Sequence, residues 1–458
     1  MDCIKNELSI ASICRNHPIL KENDEFKIKY INILEFFYNK YCNNDNFAKQ
    51  NLSIYKNIIL EKCLLKYVYR ADKVNKYLKD SIFLKINKKN GKWRIFSYRF
   101  ILAIDCLFIC AFDNEDLGKT IISNLKLMSN DFLGFFINKK YDALYLMLYK
   151  EKNLTPNFYD IDFLLSKWWI NKNQLSKPIK KIVVTANMSA GKSTLINALI
   201  GKKLLQAKNE ACTSREYRII NKSFEDDLVS AFDKTLKLNV SLNELKNDEK
   251  KGLDKIYIGT YFNGLEDKQR FCFIDTPGVN YSENNEHEQL TKKVIEEKDY
   301  DKLVYVINSN YLGTNDDAQY LKYIIDKVKD KEIIIVLNKL DNFDIDEDNI
   351  KESIDKVYKD LQRYGLKNSK VCPISAYAGL LAKRKIAGEE LSKIESRKLE
   401  NYIYQFEEPE YDLSVFYEYD INILVKNYIN KHKNHEKDSY LQLLNNTGIL
   451  SLEYMLSK

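Results

Sequence analysis

A strand-forming run, Ile182–Thr185, leads into Gly191-Lys192-Ser193-Thr194, and Leu195–Ile200 continues as helix. A strand, a glycine-bearing loop and a helix start let backbone N–H groups and the helix dipole converge on a phosphate. The pattern commits this part of the chain to an α/β sheet with a helix packed on it. Lys192 brings a cation for the outer phosphates, and the Ser193 hydroxyl brings a ligand for Mg2+. Asn187, Met188, Ser189, Ala190 and Thr194 complete the candidate cradle. Ala186 stands where the strict motif has its first glycine; it is the smallest substitute, but it reaches positive φ less cheaply.

Three further segments follow in chain order. Asp275-Thr276-Pro277-Gly278 ends a strand-like run. Asp275 is placed to hold Mg2+ through a water, and Gly278, lacking a side chain, can bring its N–H close to a γ-phosphate. Asn338-Lys339-Leu340-Asp341 follows the apolar run Ile333–Leu337. An Asp341 carboxylate accepts two hydrogen bonds from guanine, whereas adenine offers no matching donors, a mismatch that discriminates by about 10⁴. Asn338 would support base and loop, and the Lys339 stem would cover the base. Ser375-Ala376, after Val371–Ile374, would set a backbone N–H near the guanine oxygen. Each segment alone has a bland reading, such as an Asp-initiated turn for Asp275–Gly278. Their shared order makes GTP and GDP the expected ligands. Thr213, in Ala211-Cys212-Thr213-Ser214, is the candidate switch residue for Mg2+ and the attacking water. Ser214 is adjacent, and a turn-capping role for either hydroxyl stays open.

Polar Gln174–Lys181, with Pro178, reads as a linker between a mainly α-helical domain at 1–178 and a nucleotide-binding domain at 179–458. Apolar residues recur at helical spacing in Ile28–Tyr38, Ile54–Tyr69 and Tyr141–Tyr149. Ile82–Tyr98 interrupts them as a hairpin around Asn90-Gly91, carrying Lys85, Lys88, Lys89, Lys92 and Arg94 beside Phe83, Trp93 and Phe96. It suits either a lipid or RNA contact, or a solvated hairpin with its aromatics packed on the helices.

In the second domain, strand runs at Leu303–Ile307, Glu332–Leu337 and Val371–Ile374 alternate with helical Asp316–Val328, which implies a mostly parallel sheet covered on both faces. Ile256–Phe262 and Arg270–Ile274 read as paired strands joined through Asn263-Gly264. Ser223–Gly252 and Ala378–Ser439 read as insertions or irregular helices. Phe100–Phe112, the closest approach to a membrane span, is too short and carries Asp105. The N-terminus lacks a secretory pattern. Nine cysteines without a CxxC pair read as reduced thiols of a cytoplasmic protein. A net charge of +7 permits an anionic partner without demanding one, and nucleic acid is not the expected partner.

The chain resembles the dynamin-like GTPases, especially bacterial members. The carrying residues are Ser189–Thr194 with Leu195-Ile196-Asn197-Ala198-Leu199, and Ala211-Cys212-Thr213. Val306-Ile307-Asn308 through Leu312-Gly313-Thr314-Asn315-Asp316-Asp317, and Thr447-Gly448-Ile449 with Leu452, complete the set. The resemblance covers roughly Lys180 to the C-terminus. It implies a P-loop GTPase domain hydrolysing GTP, with Ser189, Lys192, Thr213 and Gly278 in catalytic positions and Ser193, Thr213 and Asp275 around Mg2+. It also implies a monovalent cation, K+ or Na+, near Ser189 and homodimers formed through GTPase domains. Met188 stands where eukaryotic members carry a glutamine, so this chain offers no side-chain amide there. Such proteins continue into a helical stalk with a lipid-binding tip, whereas this chain ends at Lys458. A stalk-bearing partner, or the helical N-terminal domain, would then replace it, with peripheral contact at the inner face of the membrane. The alternative expectation is a regulatory switch that binds RNA, a ribosome or a protein effector.

Overall fold

The computed structural model describes residues 17–79, 84–89, 92–128, 134–150, 162–187, 189–205, 215–232, 236–237, 239–241, 244, 255–265, 269–278, 285–309, 315–344, 349–366, 370–417 and 438–458. They fall into two compact units, divided between Ser176 and Lys177.

The first unit is helical. Its elements are α1 (Asp24–Tyr41), α2 (Asn46–Leu60), the short α3 (Val74–Leu78), α4 (Tyr98–Cys110), α5 (Glu115–Met128), α6 (Gly134–Lys150) and α7 (Asp162–Ser176). Asn23 and Asp45 start α1 and α2 by accepting N–H bonds from Phe26 and from Phe47 and Ala48. Such caps satisfy the first orphan donors of a helix. Strands β1 (Leu84–Lys89) and β2 (Lys92–Ser97) pair antiparallel as the expected hairpin. The Asn90-Gly91 pair and the hairpin's side chains lie outside the described residues.

All thirteen residues of α4 are buried, which accounts for the apolar run around Phe100–Phe112. Phe108 and Phe112 meet the ring of Trp168 edge-on at 4.6 and 4.7 Å. Among the described residues no helix is long and apolar enough to cross a membrane. Asp105, fully buried in α4, accepts hydrogen bonds from Tyr55 Oη at 2.8 Å and from Tyr30 Oη. His17 Nε2 lies 2.8 Å from the same carboxylate, while its Nδ1 accepts the Ile19 N–H. That acceptor role places the imidazole proton on Nε2, so three donors converge on one buried carboxylate.

The second unit is a nine-stranded sheet in the order β11-β10-β9-β3-β8-β4-β7-β5-β6. Its strands are β3 (Ile179–Ala186), β4 (Glu216–Asn221), β5 (Ser230–Phe232), β6 (Leu236–Lys237), β7 (Lys255–Thr260), β8 (Arg270–Asp275), β9 (Lys302–Asn308), β10 (Glu332–Asn338) and β11 (Lys370–Pro373). Helices α8 (Lys192–Ile200), α9 (Asn285–Glu297), α10 (Asn315–Lys327), α11 (Ile350–Arg363), α12 (Ala376–Ile386), α13 (Lys393–Gln405), α14 (Asp438–Asn446) and α15 (Ile449–Ser457) accompany it. β8, β3, β9, β10 and β11 run parallel, so the sheet is mostly parallel as expected. The order reverses at β3, with β8 on one side and β9 on the other. A crevice beyond the strand ends at such a reversal is where α/β sheets bind ligands.

Three expectations need correcting. β7 and β8 do not pair; β4 lies between them, parallel to β7 and antiparallel to β8. Glu216 and Arg218 obscured that strand. Both are buried, and the guanidinium is held by Glu216 and by Asp299. Ser223–Gly252 supplies β5 and β6, while Ala378–Ser439 supplies most of α12 and the regular α13 with a capping box at Ser392 and Glu395. The helix foreseen over Ile54–Tyr69 stops at Leu60, because side chains of α1 take backbone groups of the following residues.

Asp105→Ala strands three buried donors and is expected to cost at least about 3 kcal/mol; Tyr55→Phe, removing one donor, about 1–2 kcal/mol. All three tryptophans (Trp93, Trp168, Trp169) lie in the first unit. Urea unfolding followed by tryptophan emission therefore reads this unit, and an unchanged midpoint for Asp105→Ala would refute the anchor.

Candidate functional site

β3 ends at fully buried Ala186, and the chain turns through Asn187, Ser189 and Ala190 before α8 begins at Lys192. Met188 lies outside the described residues. Ser189 has φ 60° and Gly191 φ 89°, left-handed conformations that coil the backbone tightly. Ala186 remains in the strand, so the position that lacks the usual glycine needs no such freedom. A Cβ on Gly191 would stand 2.4 Å from Asn338 Nδ2. Gly191 is therefore required twice, for its φ and for the approach of Asn338. Ser193 and Thr194 are half-buried in the first turn of α8.

Asn338, 2% exposed at the end of β10, uses both ends of its carboxamide. Nδ2 donates to Ala190 O at 2.9 Å, and Oδ1 accepts the Ala376 N–H at 3.0 Å. The phosphate loop and the Ser375-Ala376 turn are thus held by one side chain. Sequence assigned a backbone N–H of Ser375-Ala376 to guanine; here the Ala376 N–H goes to Asn338 and the Ser375 N–H goes to Thr447 O at 3.0 Å. Lys339 adopts φ 68°, which turns the chain out of β10 toward Asp341. Asp341 Oδ1 accepts from Ser375 Oγ at 2.7 Å, and Oδ2 accepts from Tyr402 Oη at 3.1 Å. Gln405 Nε2 donates to Asp341 O at 2.9 Å. A carboxylate has about four lone-pair sites, so two of them remain for further donors.

At the end of β8, Asp275 is fully buried and its Oδ1 contacts Lys192 Nζ. Burial pushes this carboxyl above its ordinary value, while Lys192 pulls it back. Oδ2 is buried with no hydrogen-bond partner among the described residues. Were a triphosphate to draw Lys192 away, the carboxylate would be left uncompensated, at a cost of about 3–5 kcal/mol. The orphaned oxygen is a hard donor, as is the hydroxyl of Ser193, which directly follows Lys192 in the chain, so the residues present fit Mg2+. Thr276 Oγ1 donates to Val184 O at 3.2 Å and Thr291 Oγ1 to Pro277 O at 3.0 Å, which fixes the turn leading to half-buried Gly278.

Lys192, Ser193, Asp275, Asn338, Asp341, Ser375 and Ala376 therefore meet at one edge of the parallel strands. Ala211–Ser214, with Thr213, and Leu312–Thr314 lie outside the described residues. Sequence reasoning missed Tyr402 and Gln405, which reach Asp341 from α13 and follow no motif. It also gave no role to Thr447, whose carbonyl holds the Ser375 turn. Gly448 (φ 74°) lets that segment pack on Pro373 O, 2.4 Å from where a Cβ would be. Arg215, 2% exposed, precedes Tyr217, which pairs with Asp275. Both of its terminal nitrogens lack hydrogen-bond partners among the described residues. Its signal in the sequence was its place directly after Thr213-Ser214. A cavity of about 620 Å³, lined by Lys202, Thr260, Asn263 and Glu389 among others, opens at the opposite strand ends and takes no part in this geometry.

A family model described as the dynamin family matches residues 182–340. Dynamin-like protein 1 of Campylobacter jejuni is 26% identical over 293 residues, covering 51% of this chain and 39% of that protein. Sulfate adenylyltransferase subunit 1 of Bacteroides thetaiotaomicron is 22% identical over 215 residues, covering 46% of this chain and 40% of that protein. The chain thus spans about two fifths of these curated relatives. A solved structure of an oligomerised bacterial dynamin pair aligns with 90% of this chain and 62% of its own, at 16% identity and a TM-score of 0.38. The family match thus runs from β3 through the Asn338 strand end, and over these residues the chain is similar to the dynamin family.

Proposed function

We propose that this protein hydrolyses GTP to GDP and phosphate in a Mg2+-dependent reaction. The observation that carries the reading is the Asn338 carboxamide, which links the phosphate loop to the turn that positions Asp341. A nucleotide bridging these elements has its phosphates against α8 and its base against Asp341. Lys192 would leave Asp275 for the β and γ oxygens, while the loop N–H groups and the helix start oppose the developing negative charge. Ser193 and Asp275, with Thr213, would hold Mg2+, which when bound neutralises phosphate charge. The Gly278 N–H would meet the γ-phosphate. Asp341, steadied by Ser375 and Tyr402, would accept from guanine, and the Lys339 stem would cover the base.

Ser189, exposed and left-handed at the loop tip, suits a carbonyl- and hydroxyl-lined contact with K+ or Na+. The likeness of residues 182–340 to the dynamin family supports pairing of GTPase domains, and assembly or membrane work at the inner membrane face with a stalk-bearing partner. The division into units near residue 178 would let the helical part serve that partner separately.

Lys192→Ala is expected to lower GTP turnover by at least about 10²-fold, since it removes the cation that meets the developing charge. Steady-state phosphate release measures this, and near-normal turnover would refute the assignment. Asp341→Asn should shift preference from GTP to xanthosine triphosphate, with GTP affinity falling by about 10²-fold or more. Competition binding reads this directly; unchanged GTP affinity would reject the guanine-reading role.

A further inference from the structure

Residues 61–70, between α2 and α3, form an irregular stretch that displays apolar side chains to water. Leu64 is 96% exposed, Leu65 54% and Val68 50%. The stretch is held in this form by α1. The Leu64 N–H donates to Asp24 Oδ2 at 2.8 Å, and Tyr67 Oη contacts Glu35. Asn32, fully buried, accepts the Arg70 N–H at 2.6 Å and donates to Val68 O at 3.4 Å. Polar groups of the helix thus fix the backbone while the leucines point outward. An unconstrained segment of this composition would turn them inward, because exposed aliphatic surface is unfavourable.

The surrounding charge identifies the partner. From Glu61 to Lys79 there are six basic residues and two acidic ones. Lys62, Lys66 and Arg70 are exposed, and none makes an ion pair among the described residues. Aliphatic side chains interleaved with lysines match the interface of an anionic bilayer, where the apolar groups enter the acyl boundary and the cations meet headgroup phosphates. Three aliphatic residues on one stretch fall far short of the roughly 20–30 residues a side of a standard protein interface.

We propose that the Leu64-Leu65-Val68 stretch is an insertion loop for anionic lipid bilayers. It belongs to the helical unit alone, so it stands or falls separately from the nucleotide reading. The test is flotation of the full chain with phosphatidylcholine vesicles, with and without phosphatidylglycerol, over a range of salt. The intact protein should float with the anionic vesicles, less so at high salt. The double variant Leu64→Ser/Leu65→Ser should lose at least about tenfold in partitioning. Lys62→Glu/Lys66→Glu should do the same. Both sites are exposed, and unchanged tryptophan emission and urea midpoint in the same preparations verify that the variants fold. Failure of the intact protein to float, or equal flotation of the serine variant, overturns the proposal. So do equal binding to neutral vesicles, and a dimer that disappears in the serine variant, which would assign the surface to a second copy.

Discussion

One carboxamide, that of Asn338, holds together elements that the chain places about 150 residues apart. Its Nδ2 restrains Ala190 in the phosphate loop and its Oδ1 restrains Ala376 at the start of α12. Leaving either backbone group unpaired in this buried position would cost about 1–3 kcal/mol. The arrangement also dictates residue choice nearby. Gly191 must lack a Cβ because Nδ2 occupies that volume, and Lys339 must accept a left-handed backbone so that Asp341 returns toward Ser375. Parallel strands make this possible. β3, β10 and β11 end on the same side, so their following loops converge.

The second constraint is electrostatic. Asp275 and Lys192 are buried and paired, and such a pair contributes little to stability once desolvation is counted. Its value lies in being incomplete. The second carboxylate oxygen is unpartnered, and Lys192 stands in the first turn of a helix whose dipole favours an anion. A triphosphate with a divalent cation could satisfy both groups together. The protein thus keeps an unsatisfied carboxylate oxygen beside Lys192, while the side chains of Asn338 and Asp341 are hydrogen-bonded through both of their polar atoms.

Much of this was legible in the sequence because parallel, fully covered strands leave continuous apolar runs. Ile182–Thr185, Leu303–Ile307 and Ile333–Leu337 announce themselves, and motif residues sit at their ends. β4 did not, since buried Glu216 and Arg218 mimic a surface segment until Asp299 is seen beside them. Tyr402 and Gln405 were invisible for another reason. They act on Asp341 only because α13 packs against it, a tertiary fact with no local signature. Asp105 was noticed as a flaw in an apolar run. In the folded unit it is the acceptor that joins α4 to α1, α2 and the segment at His17. The early end of α2 was equally hidden, because Asp24 and Asn32 redirect the backbone from another helix.

The central claim is that the convergent strand ends accommodate a guanine nucleotide. Isothermal titration of the folded full chain with GTP and with ATP, each in the presence of Mg2+, tests it most directly. GTP should bind saturably, and ATP at least about 10²-fold more weakly. Absence of binding heat with GTP at several temperatures, or tighter binding of ATP, would contradict it.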